Sequence, residues 1–184
     1  MRLLFVRHGE TDWNLEKRYQ GRSDLSLNET GRRQAAEVAE KLLNNSVRSI
    51  YSSTLARAKE TADIIGERLN LPVYEDERLV ELDFGRWEGL TFTEIYDAYR
   101  QEFSDWYESP FHVTTPDGES LSQLLNRVLP AVQALNQRHS GHPSDTVVIV
   151  THGAVIKALL AHFTPGYDVW EEHIGHCSVT VLEI

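Results

Sequence analysis

Cysteine occurs once in 184 residues, at Cys177, so no disulfide can form within the chain. That is compatible with a reducing compartment. Basic residues are also scarce: 18 Lys and Arg stand against 28 Asp and Glu, for a formal net charge of −10. Such a field repels nucleic acid and anionic membrane surfaces, so neither is expected as a partner. No apolar run approaches the roughly 18 residues needed to span a bilayer. The first apolar run begins almost at Met1 and leaves no room for a signal peptide, so the expectation is a cytoplasmic protein. Repeats, low-complexity tracts and interdomain linkers are missing as well, and residues 1–184 are read as a single domain. The 41% hydrophobic and 25% charged fractions are those of an ordinary globular chain.

Against that background one stretch stands out. Leu3-Leu4-Phe5-Val6 is too short for a helix face and suits a central strand buried on both sides; it stops abruptly at Arg7-His8-Gly9. Val147-Val148-Ile149-Val150-Thr151 repeats the pattern and stops at His152-Gly153. Ligands of open α/β sheets bind outside the carboxyl ends of strands. If the two strands are parallel neighbours, His8 and His152 meet there; otherwise each histidine merely caps a strand. Gly9 is expected to let the backbone turn sharply and approach a ligand.

The intervening chain reads as α/β. The polar stretch from Asp12 to Leu25 is expected to be an irregular binding loop. Asn28 can cap a helix reaching about Leu43. A strand at Ser49–Ser52 is followed by a helix capped by Thr54, with Arg57 in its first turn and Ala58, Ala62, Ile65 and Leu69 as its buried stripe. Val73-Tyr74 reads as a short strand, and Glu77–Phe84 as a connection carrying Glu81. Between Phe84 and Phe111 lie 9 of the 17 aromatic residues. Ile95, Tyr99, Phe103 and Trp106 recur at helical spacing, which points to an insertion helix packed on the body, with an aromatic lid as the alternative. Ser120 can cap a long amphipathic helix in which Pro130 predicts a kink or break. A loop at 141–144, a helix from Gly153 to His162 and a strand from Val179 to Ile184 complete the chain. Cys177 is expected to pack near the start of that last strand, His173 and His176 to flank it near a substrate rim, and His112, His139, His142 and His162 to have no partner pattern.

His8, His152, Arg7, Arg57 and Glu81 all come from junctions that a sheet gathers at one edge. Guanidinium groups match phosphate or carboxylate oxygens, so the arginines argue for an anion. A metal is not expected, because Arg7 beside His8 repels a dication and no His-x-x-x-His or clustered carboxylate spacing is present. A neutral imidazole can attack phosphorus, with arginines neutralising the phosphoryl oxygens and a protonated His152 adding a hydrogen bond. Glu81 could then protonate the departing alkoxide and later activate water.

Leu4-Phe5-Val6-Arg7-His8-Gly9-Glu10-Thr11 with Trp13-Asn14 resembles the signature of the histidine phosphatase superfamily, which includes the cofactor-dependent phosphoglycerate mutases. The resemblance extends through Tyr19-Gln20-Gly21, Leu27 to Gln34, Ser52 to Thr61, Glu77 to Gly89 and Val150 to Gly153. It implies a three-layer α/β/α sandwich with a mostly parallel mixed sheet and a partly helical insertion, 84–120, covering the site. It implies further that His8 becomes phosphorylated, that Arg7, Arg57 and His152 hold the phosphate, and that Glu81 is the proton donor. Asn14, Gln20, Gly21 and Gly153 are implied as substrate-binding residues, and no cofactor is called for. Glu81 and Gly118 are only 37 positions apart, a short insertion for a mutase, so the reading is a phosphatase acting on a small phosphorylated metabolite. Lys17, Arg18, Arg22 and Arg86 are read as solvated surface charges. The segments around Tyr19-Gln20-Gly21, Phe84 to Gly89 and Pro116 to Ser120 resemble both α-ribazole-5′-phosphate phosphatases and broad-specificity phosphatases. α-Ribazole 5′-phosphate is thus the candidate substrate. A broad-specificity phosphatase, a mutase and a phospholigand-binding module are the alternatives, and a homodimer through a sheet edge stays open.

Overall fold

Alternation of apolar side chains along two short strands decides the layering. The computed structural model describes residues 2–139 and 145–183. The loop expected at 141–144, His142 within it, and Ile184 lie outside the described residues. In β1 (Arg2–Arg7), Leu3 and Phe5 point to one face while Leu4 and Val6 point to the other, and all four are buried. β4 (Thr146–Thr151) does the same with Val147 and Ile149 against Val148 and Val150. Each face therefore needs its own covering layer.

β2 (Val47–Ser52), β3 (Val73–Glu75) and β5 (Val179–Glu183) complete a sheet of order β3-β2-β4-β1-β5, in which only β5 runs antiparallel. α2 (Glu29–Leu42), capped by Asn28, and α3 (Ala56–Leu69) cover the Leu4 and Val6 face with Val38, Ala39, Ala58, Ala62 and Ile65. α6 (Leu121–Arg138) and α7 (Gly153–Phe163) cover the opposite face. This is the expected three-layer α/β/α arrangement. Each fully buried Leu, Ile or Phe stabilises it by about 1.5–3 kcal/mol. No helix among the described residues is long and apolar enough to cross a membrane.

Several local expectations need correction. The 12–25 stretch is not wholly irregular: Thr11 and Asn14 form a reciprocal cap on a one-turn helix, α1 (Asp12–Leu15). Thr54 does not cap α3; Asp24 accepts from the Ala56 N–H (2.6 Å) and Ser53 from the Leu55 N–H (3.3 Å). The expected insertion helix is two helices, α4 (Phe92–Ala98) and α5 (Arg100–Glu108), because Tyr99 leaves helical geometry at φ −134°, ψ 38°. Conversely, α6 runs through Pro130 unbroken. Pro130 and Asn126, whose carbonyl loses its partner, are both exposed, so water can satisfy the orphaned group. His139 is not partnerless either. It bridges Ser49 Oγ and Asp145 Oδ2, each at 3.3 Å, tying the end of α6 to β2 and β4.

Candidate active site

Parallel register between β1 and β4 pairs Arg7 with Thr151, so the next residues, His8 and His152, emerge side by side. Their ring centroids are 5.2 Å apart. Gly9 makes the turn and packs closely on α2: an added Cβ would lie 2.5 Å from the Gly31 carbonyl oxygen. Its N–H donates to Thr61 Oγ1 (3.0 Å), which pins the strand end to α3.

His8 is 3% exposed. Its Nδ1 lies 2.7 Å from the Gly9 carbonyl, which can only accept, so Nδ1 carries the proton and Nε2 keeps its lone pair. Arg57 Nε donates to that Nε2 at 3.3 Å. Burial, then the charges of Arg57 and Arg7, holds the His8 pKa well below 6.5, so the ring is neutral at neutral pH. Burial and Arg57 do the same to His152. His152 Nε2 contacts Ser53 Oγ at 2.7 Å, and its Nδ1 is buried with no partner. Burial therefore disfavours the protonated form through which His152 could have donated; the neutral ring donates from Nδ1 when the Ser53 hydroxyl donates to Nε2.

Arg57 has 0% exposure, and Arg7 is half-buried. Arg57 donates to the Ser23 carbonyl (2.8 Å) and the Gly21 carbonyl (2.7 Å) as well as to His8. Burial lowers its pKa to about 10, which leaves it cationic. Arg7 donates from Nη1 to the Ile174 carbonyl (2.6 Å), while its Nε is buried and unpartnered. Arg7, with an unpartnered Nε–H, lines a site with cationic walls, and the His152 ring lies against that of His8 beside it. That is the arrangement expected around an anion.

Glu81 is 9% exposed, with Oε1 accepting from the Leu82 N–H (2.9 Å) and Oε2 from the Ala154 N–H (3.3 Å) at the start of α7. Arg127, absent from the sequence reading, fixes that segment by donating to the Arg78, Val80 and Glu81 carbonyls at 2.7–2.9 Å. Against a burial penalty, Arg127 also holds the Glu119 carboxyl below its ordinary range. Gly21 lies in the left-handed region at φ +52°, and a Cβ there would collide with the Glu88 carboxylate. Glu88 in turn accepts from the Arg22 and Ser23 N–H groups, each at 2.8 Å. Gly21 thus holds Arg57 through its carbonyl. Glu88, Ser53 and Arg127 all escaped sequence reasoning, because a side chain whose partner is distant in the chain, main chain for Glu88 and Arg127 and the His152 ring for Ser53, leaves no periodic signal.

Two cavities meet at this edge. The smaller, of about 220 Å³, is lined by His8, Arg57, Asn14, Gln20 and Gly21, together with Arg7 and Glu81. Asn14 Oδ1 is taken up by Thr11, which leaves its amide nitrogen for the cavity, while Gln20 Oε1 is buried and unpartnered. The larger, of about 450 Å³, shares Arg7, Tyr19, Glu81 and Phe84 and continues along Trp106, Gly153, Lys157 and Trp170. The aromatic segment packs into the body and also reaches the larger cavity. Trp87, Phe103 and Trp106 are buried in the core, while Phe84 and Trp106 also face the larger cavity. Arg18, Arg22 and Arg86 pair with Glu94, Glu119 and Asp117, and Lys17 is an exposed residue on the smaller cavity. Cys177 is half-buried, and burial pushes its thiol up to about 12, so it is no nucleophile. Among the described residues, no group of His, Cys, Asp and Glu is arranged to hold a metal ion.

The neutral histidines make stability depend on pH. In the unfolded chain each histidine titrates near roughly 6.5, whereas the folded protein keeps His8 and His152 neutral far below that. Between those limits the unfolded state binds more protons, so stability falls as pH drops below 6.5, by up to about 1.4 kcal/mol per pH unit for each ring. His176, lowered to about 4 by burial and Arg7, adds in the same direction. Urea unfolding should show a lower midpoint at pH 5 than at pH 7; an unchanged or higher midpoint would contradict the neutral-imidazole assignment.

Paired imidazoles and guanidiniums at the carboxyl edge of an α/β/α sheet define a phosphoryl-handling enzyme. The chain belongs to the histidine phosphatase superfamily (branch 1), whose family model matches residues 3–184. It is a phosphoric monoester hydrolase. Over 187 residues it is 38% identical to phosphoserine phosphatase 1 of Hydrogenobacter thermophilus, covering 100% of this chain and 87% of that one. A mycobacterial glucosyl-3-phosphoglycerate phosphatase, solved in complex with VO3, matches at a TM-score of 0.90 and 37% identity, over 99% of this chain and 90% of its own. A candidate α-ribazole-5′-P phosphatase of Escherichia coli matches at a TM-score of 0.85 and 26% identity, over 98% of this chain and 89% of its own.

Proposed function

We propose that hydrolysis proceeds through a phosphohistidine on Nε2 of His8, with Glu81 as general acid and then general base. The observation that carries this is the 2.7 Å contact of His8 Nδ1 with the Gly9 carbonyl, which puts the proton on Nδ1 and the lone pair on Nε2. There a long 3.3 Å bond from Arg57 Nε is all that a phosphoryl group must displace. The Nε2 lone pair forms the new N–P bond as the P–O bond to the substrate alcohol breaks. Arg7, Arg57 and the Nδ1–H of His152 hold the phosphoryl oxygens, as preorganised donors whose orientation costs nothing during reaction. Glu81, lining both cavities, gives its proton to the departing alkoxide oxygen. It then takes a proton from the water that cleaves the N–P bond and releases inorganic phosphate. Asn14, Gln20, Gly21 and Gly153 complete the binding surface on this reading, Gly21 through its hold on Arg57.

Water, not a second phosphoglycerate, is the acceptor we assign. The larger cavity, where the rest of the substrate would lie, is mostly apolar, with Arg7 and Lys157 as its Lys and Arg residues, while Lys17 and Arg18 line the smaller one. Release of phosphate should therefore outrun interconversion of 2- and 3-phosphoglycerate. α-Ribazole 5′-phosphate remains a substrate candidate on the aromatic wall, where Trp106 and Trp170 lie 5.2 Å apart. The likeness to the Escherichia coli structure supports it, while relatives named for phosphoserine and glucosyl-3-phosphoglycerate support a phosphorylated acid.

The role of Glu81 is tested by leaving-group dependence. Glu81→Gln should cost about 10²–10⁴-fold with alkyl phosphates, whose alkoxides need a proton. The cost should be much smaller with p-nitrophenyl phosphate, whose phenolate leaves unaided. Equal losses on both esters would remove Glu81 as the acid.

A further inference from the structure

The run Gly153-Ala154-Val155-Ile156-Lys157-Ala158-Leu159-Leu160-Ala161 carries one charge among apolar residues, and that charge does not escape to solvent. Lys157 is half-buried and lines the larger cavity, beside Leu82, Trp106, Val169 and Ile174. Its ammonium donates one hydrogen bond, to the Val169 carbonyl at 2.6 Å, and lies 5.9 Å from the centroid of the Trp170 ring. An ammonium has three donors, so two remain. Among the described residues no carboxylate reaches it. Asp168 accepts from the Trp170 N–H (2.8 Å) and Glu172 from the Tyr167 hydroxyl (3.2 Å). Burial and nearby Arg7 oppose its charge, while Glu172 and Asp168 favour it from beyond contact distance.

Position turns this cation into a ruler. Gly153 and Lys157 are four residues apart on one face of α7, a rise of about 6 Å. Gly153 faces the Arg7 guanidinium, and helical side chains lean toward the helix N-terminus, which brings the ammonium back toward that end.

We propose that Lys157 is a specificity-determining residue that reads a carboxylate on the leaving alcohol, which makes the substrates phosphate monoesters of small hydroxy or amino acids. The proposal rests on the phosphate subsite assigned above at Arg7, His8 and Arg57. One ammonium in an apolar cavity matches the single charge of a carboxylate better than a second phosphate dianion, and better than a neutral base. An acid with its carboxylate one or two carbons from the ester carbon spans the turn.

The test compares kcat/KM for phosphoserine and 3-phosphoglycerate with that for glycerol 3-phosphate, which lacks the carboxylate, in wild type, Lys157→Gln and Lys157→Glu. Wild type should favour the acids by about ten- to a hundredfold, the range of a hydrogen bond to a charged group. Lys157→Gln should bring that ratio close to one, and Lys157→Glu should invert it. A wild-type ratio near one overturns the proposal, and this measurement needs no variant to fold. It is equally overturned if Lys157→Gln keeps the ratio, or if fructose 1,6-bisphosphate or α-ribazole 5′-phosphate outruns both acids. Failure of the phosphohistidine reading is a separate result: no phosphate trapped on His8, whatever the ratio.

Discussion

His8→Ala is expected to lose turnover by about 10⁴-fold or more, and with it the capture of labelled phosphate on the protein. The size follows from the chemistry assigned to Nε2: without that lone pair the two-step route is closed, and the electrostatic pocket retains only what it contributes to direct attack by water. The fold should survive, since the ring bonds only to the adjacent Gly9 carbonyl and to Arg57, which keeps two carbonyl partners of its own. Acid sensitivity should also diminish, because one neutral buried imidazole is gone. Rapid quenching with a labelled phosphomonoester reads both proteins side by side. Label held by His8→Ala at the wild-type level would assign the nucleophile elsewhere, with His152 the first candidate.

Arg57→Ala is expected to lose about 10²–10³-fold in kcat and, unlike His8→Ala, to destabilise the protein as well. Its guanidinium is wholly buried and joins three elements: the end of β1 through His8, the 21–23 loop through two carbonyls, and α3, on which it sits. Truncation leaves the Gly21 and Ser23 carbonyls unsatisfied at about 1–3 kcal/mol each. Relaxation of that loop would also carry away Gln20, which lines the smaller cavity. Arg57→Lys keeps the charge but lacks the planar fork, so it should restore stability in part and kcat far less. Urea unfolding and steady-state kinetics on the two variants separate the effects. An Arg57→Ala enzyme of wild-type stability would show that the loop holds without it.

Much of the site was readable before any coordinates. An apolar run closing on His-Gly announces a buried strand with a histidine at its carboxyl end, and the second such run makes a pair. Asn28 and Ser120 declare helix starts because their side chains have a local N–H to accept from. Where reading went astray, a distant partner had displaced the local one. Asp24 took the capping role expected of Thr54 from 32 residues away. Thr11 and Asn14 turned a presumed loop into a helical turn, and solvent around Asn126 let α6 tolerate Pro130.

The sequence by itself therefore determined the layered α/β plan and the chemical inventory of the edge, His8, His152, Arg7, Arg57 and Glu81, because hydrophobic period and strand-end composition are local properties of the chain. Only the tertiary structure decided the protonation and aim of those groups. The Gly9 carbonyl selects the tautomer of His8, burial beside two guanidiniums keeps both rings neutral, and Arg127 reaches 49 residues back to hold the strand of carbonyls that positions Glu81. Lys157 belongs to the same class. Nothing in its neighbours along the chain says that Val169 and Trp170 will enclose it in a cavity shared with Arg7, because desolvation and main-chain acceptors come from whichever segments the fold brings together.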